Sequence, residues 1–237
     1  MADGNITVDI WRGASTGEFK TYEVPRTELQ TVLDLVTYVQ RELDHDLSYR
    51  FACRVGMCGT CAMTVNGIPR WTCRTQASLY SNDPRITISP LRNFPVVKDL
   101  VVDMEQFFDK WTASGGTFAA SQPDSLEFAE VSPESKSRKT IDDAIQCINC
   151  GICYAACDIV RWNPEYLGPA ALNRAWTLIN DQRNLENPGL RKALASDAGC
   201  LSCHTTRSCT RHCPKQLNPS ASIAGLKRKA VQSVFGR

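Results

Sequence analysis

An α+β chain in two parts is predicted, a small sheet-bearing domain followed by an all-helical one. Three observations predict it. Residues 5–12 alternate, with Ile6, Val8 and Ile10 on one face. Apolar residues of the second half recur at helical spacing, with no strand signal. The twelve cysteines of the 237 residues fall in three spaced groups, one in the first half and two in the second.

Phe19 to Val24 reads as a second extended run. Val32, Leu33, Leu35, Val36 and Val39 then follow a helical period, with Thr31 placed to cap it. Asn66-Gly67, between Met63-Thr64-Val65 and Ile68, is the signature of a tight two-residue hairpin within Ala62 to Trp71. A last strand, Arg85 to Ser89, precedes a helix expected from Lys98 to Trp111. The stretch 112–137 is rich in Ser, Ala, Gly and Pro and reads as a linker between domains at 1–111 and 138–237. Ser132-Pro133 looks like an N-cap followed by proline at the first helical position, and Asn218-Pro219 repeats the device. The latter opens a terminal helix with Ile223, Leu226, Ala230 and Val234 inside. Gly168-Pro169 opens another, through Leu172, Ala175, Trp176 and Ile179.

Each half is long enough to bury a core, with 43% hydrophobic and 22% charged residues. A net charge of +2 suggests no nucleic-acid partner. No run approaches the roughly 18 apolar residues of a membrane span. Met1-Ala2-Asp3-Gly4-Asn5 has the pattern of neither a secretion signal nor a transit segment, so a bacterial cytoplasm is expected. Cysteines in that compartment are metal ligands more often than disulfide partners.

The first group is Cys53-x4-Cys58-x2-Cys61, closed by Cys73. This is the plant-type ferredoxin spacing for a 2Fe–2S cluster, and the resemblance to plant-type ferredoxins implies a β-grasp domain. Gly56 and Gly59 let the loop curl and aim N–H groups at sulfur. The hairpin at Asn66-Gly67 is the means of returning Cys73 to it. A structural zinc site or simple buried thiols are the bland alternatives.

The second group is Cys147-x2-Cys150-x2-Cys153-x3-Cys157, and the third is Cys203-x2-Thr206-x2-Cys209-x3-Cys213-Pro214, the same ruler with one threonine. In bacterial ferredoxin runs three cysteines bind one cluster and the fourth binds the other. That exchange assigns Cys147, Cys150, Cys153 and Cys213 to a 4Fe–4S cluster. Cys157, Cys203 and Cys209 remain for the second, where Thr206 replaces a thiolate. A hydroxyl is a poor iron ligand at neutral pH, so a 3Fe–4S cluster is expected there. Cys200 could complete a cubane instead, but the repeat runs without it, and it reads as a small apolar residue beneath the cluster.

Together these features resemble the iron–sulfur subunit of succinate dehydrogenases and quinol:fumarate reductases. Phe51-Ala52-Cys53-Arg54 through Cys61, Arg92-Asn93-Phe94-Pro95, Asp99-Leu100-Val101-Val102-Asp103 and Cys147 to Cys157 carry the resemblance. Asn163-Pro164, Gly168-Pro169-Ala170, Cys213-Pro214-Lys215 and Asn218-Pro219 complete it. The resemblance implies an electron relay through 2Fe–2S, 4Fe–4S and 3Fe–4S centres. One end would meet an FAD-bearing flavoprotein subunit that carries the dicarboxylate site. The other would meet a quinone at membrane-anchor subunits, with this chain peripheral on the cytoplasmic face of the bacterial inner membrane. The absence of any G-x-G-x-x-G motif agrees with a flavin held elsewhere.

By the same resemblance His204 and Trp162 lie near the quinone, where imidazole and indole N–H groups can hold its oxygens. The alternatives are that His204 tunes the cluster and Trp162 is core. Asp158 and Arg161 depart from the family pattern, which usually has proline and a second tryptophan there; Asp158 could carry protons or contact a partner, though a helix cap is the commoner role. His212 is expected to shape its loop, and His45 to be solvated. Lys227-Arg228-Lys229 and Arg237 read as a basic helix end that complements the helix dipole or meets anionic lipid. Two competing functions are a free-standing multi-cluster carrier and the iron–sulfur subunit of another modular oxidoreductase. The first wants an acidic steering face and the second a cysteine at position 206.

Overall fold

A computed structural model describes residues 4–82, 85–121, 127–185 and 187–235, with the side chains at 194–195 and 234–235 outside the description. The strands are β1 (Asn5–Gly13), β2 (Gly17–Pro25), β3 (Ala62–Val65), β4 (Ile68–Trp71), β5 (Ile86–Ser89), β6 (Val96–Lys98) and β7 (Val101–Val102). The helices are α1 (Val32–Tyr38), α2 (Glu105–Ala113), α3 (Lys136–Ile141), α4 (Ile152–Ala155), α5 (Asp158–Trp162), α6 (Pro169–Ile179), α7 (Pro188–Ala195), α8 (Ser208–Arg211) and α9 (Pro219–Phe235).

Two compact units emerge. The first holds residues 1–104 together with 148–156, and the second holds 105–147 together with 157–237. This differs from a cut at Trp111: α2 packs on α6 and α7 and joins the second unit, while a nine-residue piece of the second cysteine group joins the first.

In the first unit five strands form one mixed sheet in the order β2-β1-β5-β3-β4, with β1 and β5 parallel. The alternation in β1 buries Ile6, Val8 and Ile10 on the face covered by α1. Thr31 caps α1 through a reciprocal capping box with Asp34, which satisfies two N–H groups that the helix leaves free. Asn66 and Gly67 both have positive φ, +46° and +78°, the requirement of a type I′ hairpin between β3 and β4.

The helix expected from Lys98 begins only at Glu105. The β-branched residues Val96, Val101 and Val102 pair as β6 and β7 instead, around a two-residue turn where Asp99 takes φ +51°. Asp99 is held there because its buried carboxylate accepts the N–H groups of Gly13 and Ser48, each at 2.9 Å, and meets Arg12 Nε at 3.1 Å.

Arg12 also pairs with Asp44, whose carboxylate accepts the Tyr22 hydroxyl at 2.6 Å and Lys20 Nζ at 2.9 Å. Those donors, Tyr22 first, hold the Asp44 pKa below the ordinary carboxylate range. A depressed carboxylate lends its full stabilisation above the unfolded value of about 3.9 and loses it as pH falls further. Asp44→Asn is therefore expected to lower stability near neutrality and to flatten the acid limb of the unfolding profile below about pH 4, measured by pH-dependent thermal melts.

The second unit is helical, with α6 and α9 as its central pair. Pro169 and Pro219 open these helices where the sequence places them, and Asn218 Oδ1 accepts the N–H of Ala221 at 3.1 Å. Ile223, Leu226 and Ala230 are buried; the Val234 side chain lies outside the described residues. Ser132 does not cap a helix. Its hydroxyl closes a turn onto the Glu134 N–H, and the cap of α3 is Ser135, which accepts from Arg138 N at 3.1 Å. Asn187-Pro188 opens α7 by the same Asn-Pro device, a signal the sequence reading passed over. Lys227, Arg228 and Lys229 lie in the middle of α9 and not at its end, outside the last turn where a cation answers the helix dipole; Arg237 falls outside the described residues.

Candidate functional site

The loop from Cys53 to Cys61 turns through three left-handed residues, Arg54, Gly56 and Gly59. Its N–H groups face inward: Met57 N and Cys58 N donate to Cys53 Sγ at 3.2 and 3.3 Å. The N–H of Val55 first, and then these two donors, pull the Cys53 pKa down to about 6. The β3–β4 hairpin returns the chain, and Cys73 lies buried beside Cys61 with Trp71 and Leu33 around them. Burial, followed by the neighbouring Cys61 sulfur, pushes Cys73 up to about 12. Sulfurs that resist sharing negative charge in so small a space suit a site completed by ferric iron, which reverses that preference.

Segment 148–156 shares this core. Ile152 is buried in it, and Ile148 and Cys150 pack against it. A Cβ built on Gly59 would lie 2.5 Å from Cys150 Cβ. The Asn93 amide donates to the carbonyls of Tyr154 and Ala155 at 2.9 and 3.3 Å, and Phe94 packs on Tyr154 as a tilted pair with ring centroids 5.0 Å apart. Arg92-Asn93-Phe94-Pro95 thus clamps the end of α4, a role its sequence does not announce.

The second and third cysteine loops have the same backbone. A 3₁₀ turn, Ala144–Gln146 or Cys200–Ser202, leads into the first cysteine of each. Asn149 and Gly151 have φ +55° and +78°; Thr205 and Arg207, at the matching positions, have +59° and +61°. A short helix, α4 or α8, follows each. Thr206 therefore occupies the place of Cys150, and Cys200 the place of Ala144.

In the second unit Cys157, Cys203 and Cys209 come together. Cys157 stands at the N-cap of α5, and burial pushes its thiol up. Cys209 is pushed up to about 11, first by burial and next by the Cys157 sulfur, with Cys203 also contributing. Asp158 is not the cap; it is the first residue of the helix and exposed. Cys147 and Cys213 belong to the second unit, while Cys150 and Cys153 belong to the first. Among the described residues no three His, Cys, Asp or Glu side chains are grouped tightly enough for a single metal ion. A polynuclear cluster places its own irons and sulfides between the thiolates, so its ligands need not converge on one point.

Trp162 ends α5 with 71% of its surface exposed, and His204 is exposed directly after Cys203. Asn163, next to Trp162, donates through Nδ2 to Ser202 Oγ at 3.3 Å. His45 is exposed, its Nδ1 3.1 Å from the Gln40 carbonyl, and His212 closes α8.

The sequence reading missed the place of two residues beside the third group. Lys227 Nζ donates to the Cys203 carbonyl at 2.6 Å, and its charge acts on Cys200, whose thiol burial pushes up. Its helical register, four after Ile223 and three before Ala230, was an available signal that it faces inward. Tyr166 is buried beside Cys157, Cys203 and Cys209, and no local pattern marks it.

Residues 7–109 match the family model of a 2Fe–2S iron–sulfur cluster binding domain, and residues 146–218 that of a 4Fe–4S dicluster domain. The fumarate reductase iron–sulfur subunit of Mycobacterium tuberculosis (strain CDC 1551 / Oshkosh) is 35% identical over 92% of this chain and 87% of its own. The chain belongs to the fumarate reductase and succinate dehydrogenase iron–sulfur subunits. A mitochondrial succinate dehydrogenase [ubiquinone] iron–sulfur subunit 1 of Oryza sativa subsp. japonica is 34% identical over 90% of this chain and 76% of its own. Among solved structures, the Mycobacterium smegmatis Sdh1 complex in the apo form contains a similar chain, with TM-score 0.87 and 28% identity over 99% of this subunit and 98% of that chain. The subunit is thus an electron-transfer component of an oxidoreductase, with a 2Fe–2S domain and a helical cluster-binding domain. Among its described residues no helix is long and apolar enough to cross a membrane.

Proposed function

We propose that this subunit relays electrons between an FAD-bearing flavoprotein subunit and a quinone held at membrane-anchor subunits. The proposed ligands are Cys53, Cys58, Cys61 and Cys73 for the 2Fe–2S cluster. Cys147, Cys150, Cys153 and Cys213 take the 4Fe–4S cluster, and Cys157, Cys203 and Cys209 a 3Fe–4S cluster. Residues 1–111 serve the first cluster and 138–237 the other two, with 112–137 joining them. The set of four that includes Cys147 and Cys213 rests on the ligand spacing. One observation carries the three-iron assignment: the loop after Cys203 copies the backbone of the loop after Cys147, and Thr206 takes the position of Cys150. The position of Cys200, matching Ala144 at the head of a turn, supports its reading as a non-ligand.

When bound, the clusters supply one-electron donor and acceptor sites at successive points along the chain. The protein's part is to hold thiolates with N–H groups, as at Cys53, and to keep water away with buried residues such as Ile152 and Tyr166. Phe51, Val55 and Met57 are exposed around the first loop and suit the docking of a flavoprotein. Trp162, Leu201 and Val231 are exposed on the three segments tied by the Asn163–Ser202 and Lys227–Cys203 bonds, which favours an apolar face for anchor subunits at the cytoplasmic side of a bacterial membrane. There the Trp162 and His204 ring N–H groups would hold quinone oxygens.

The test is Thr206→Cys in the assembled complex. Iron is expected to rise from about nine to about ten per chain, and the paramagnetic signal of an oxidised three-iron cluster to disappear. A parent protein that already holds about ten irons, or zinc without acid-labile sulfide, would overturn the assignment. Recovery of the parent alone from the soluble fraction would favour a free carrier instead.

A further inference from the structure

We propose that Asn93 and Phe94 are a positioning pair for the second cysteine loop, holding the segment that presents Cys150 and Cys153 in ligating geometry. The inference rests on the assignment of those two cysteines to the 4Fe–4S cluster above. Helix α4 has only four residues, Ile152–Ala155, and Cys153 is one of them. Ala155 N donates to the Gly151 carbonyl and Ala156 N to the Ile152 carbonyl, each at 2.9 Å. A helix this short is not stable by itself, and its last carbonyls have no next turn to bond. An asparagine amide carries two N–H groups. Asn93 Nδ2 reaches two of those carbonyls, Tyr154 at 2.9 Å and Ala155 at 3.3 Å. Asparagine also tolerates the left-handed backbone, φ +66°, that residue 93 adopts.

Phe94 secures the start of the same helix. A Cβ built on Gly151, the N-cap of α4, would lie 3.0 Å from Phe94 Cζ and 3.5 Å from Met104 Cε. Gly151 is buried, with φ +78°. The third loop serves as an internal control. Its matching residue, Arg207, holds φ +61° and is exposed. The left-handed turn therefore admits a side chain, and it is the cover from Phe94 that asks for glycine at position 151. The two loops share a backbone and differ in support. The helix of the third, α8, is tied to the start of α9 through Thr210 Oγ1, which donates to Asn218 Oδ1 at 3.0 Å. The helix of the second is tied to residues 93–94, sixty positions away in the chain. Loosening Asn93 should therefore be felt at one centre and not at its near-copy.

The experiment follows iron loss from the purified complex carrying Asn93→Gly, which keeps the left-handed backbone and removes the amide. Bathophenanthroline is added as the chelator, and Mössbauer spectra separate the three cluster types over time. The half-life of the 4Fe–4S cluster is expected to fall about tenfold, the size that goes with losing two amide–carbonyl bonds. Iron should drift from about nine toward about five per chain as that cluster is lost. The 2Fe–2S and 3Fe–4S clusters should keep the parent's half-lives, which a general loss of stability would not allow. If Asn93→Gly does not assemble, Phe94→Leu takes its place; it thins the cover over Gly151, leaves the amide bonds, and should give the same selective loss. Parent-like retention of the 4Fe–4S cluster, or equal acceleration at all three centres, overturns the inference while leaving the cluster reading intact. A parent without a four-iron cluster overturns both.

Discussion

Gly59→Ala is expected to damage the subunit far more than the same change at Gly67. Both glycines have left-handed backbone, φ +75° and +78°, so each alanine carries the same conformational penalty of about 1–2 kcal/mol. Their surroundings differ. Nothing lies within 4 Å of a Cβ on Gly67, whereas one on Gly59 would lie 2.5 Å from Cys150 Cβ and 3.0 Å from Cys150 Cα. Neither atom is the free end of a flexible side chain, so the cysteine loop or segment 148–156 must shift, adding about 1–3 kcal/mol of overpacking. The thermal midpoint for loss of visible circular dichroism should fall well below that of Gly67→Ala. Signals of both the 2Fe–2S cluster and the cluster that uses Cys150 should change. Equal midpoints for the two variants would mean that the close approach of Gly59 to Cys150 does not exist.

Cys209→Ala, set against Cys200→Ala, should separate ligand from bystander. Both thiols are buried, so a core-packing effect alone would cost each variant about the same. Cys209 is one of three sulfurs that act on one another and on Tyr166; Cys200 opens a turn at a position filled by alanine in the preceding repeat. Iron is expected to drop from about nine to about six per chain in Cys209→Ala and to remain about nine in Cys200→Ala. Retention of the three-iron signal in Cys209→Ala, or its loss in Cys200→Ala, would reverse the assignment.

The local devices were legible because they are written in short spans. Thr31 with Asp34 makes a capping box, Asn66-Gly67 a type I′ turn, and Gly168-Pro169 and Asn218-Pro219 two helix starts. Each depends on residues within a few positions, where sterics and hydrogen-bond geometry leave few choices. The misplaced helix at Lys98 shows the limit. Apolar valines at 96, 97, 101 and 102 suit either structure, and the decision rests on Asp99 reaching Gly13 and Ser48, far away in the chain. The Ser132 cap failed for a nearer reason: its hydroxyl was taken by a turn, and Ser135 three residues later did the capping.

By itself, the sequence determined the chemistry: thiols at intervals suited to iron–sulfur clusters, a threonine where the preceding repeat has a cysteine, and helices and strands of the right kind around them. Only the tertiary structure decided the neighbours. It joined 148–156 to the sheet-bearing unit, set Cys150 against Gly59, turned Lys227 onto the Cys203 carbonyl and enclosed Tyr166 with three cysteines. Ligand spacing is a short-range property of backbone geometry. Which side chain fills the space behind a ligand is settled by packing between segments tens of residues apart, where many apolar partners are equivalent until the whole core is built.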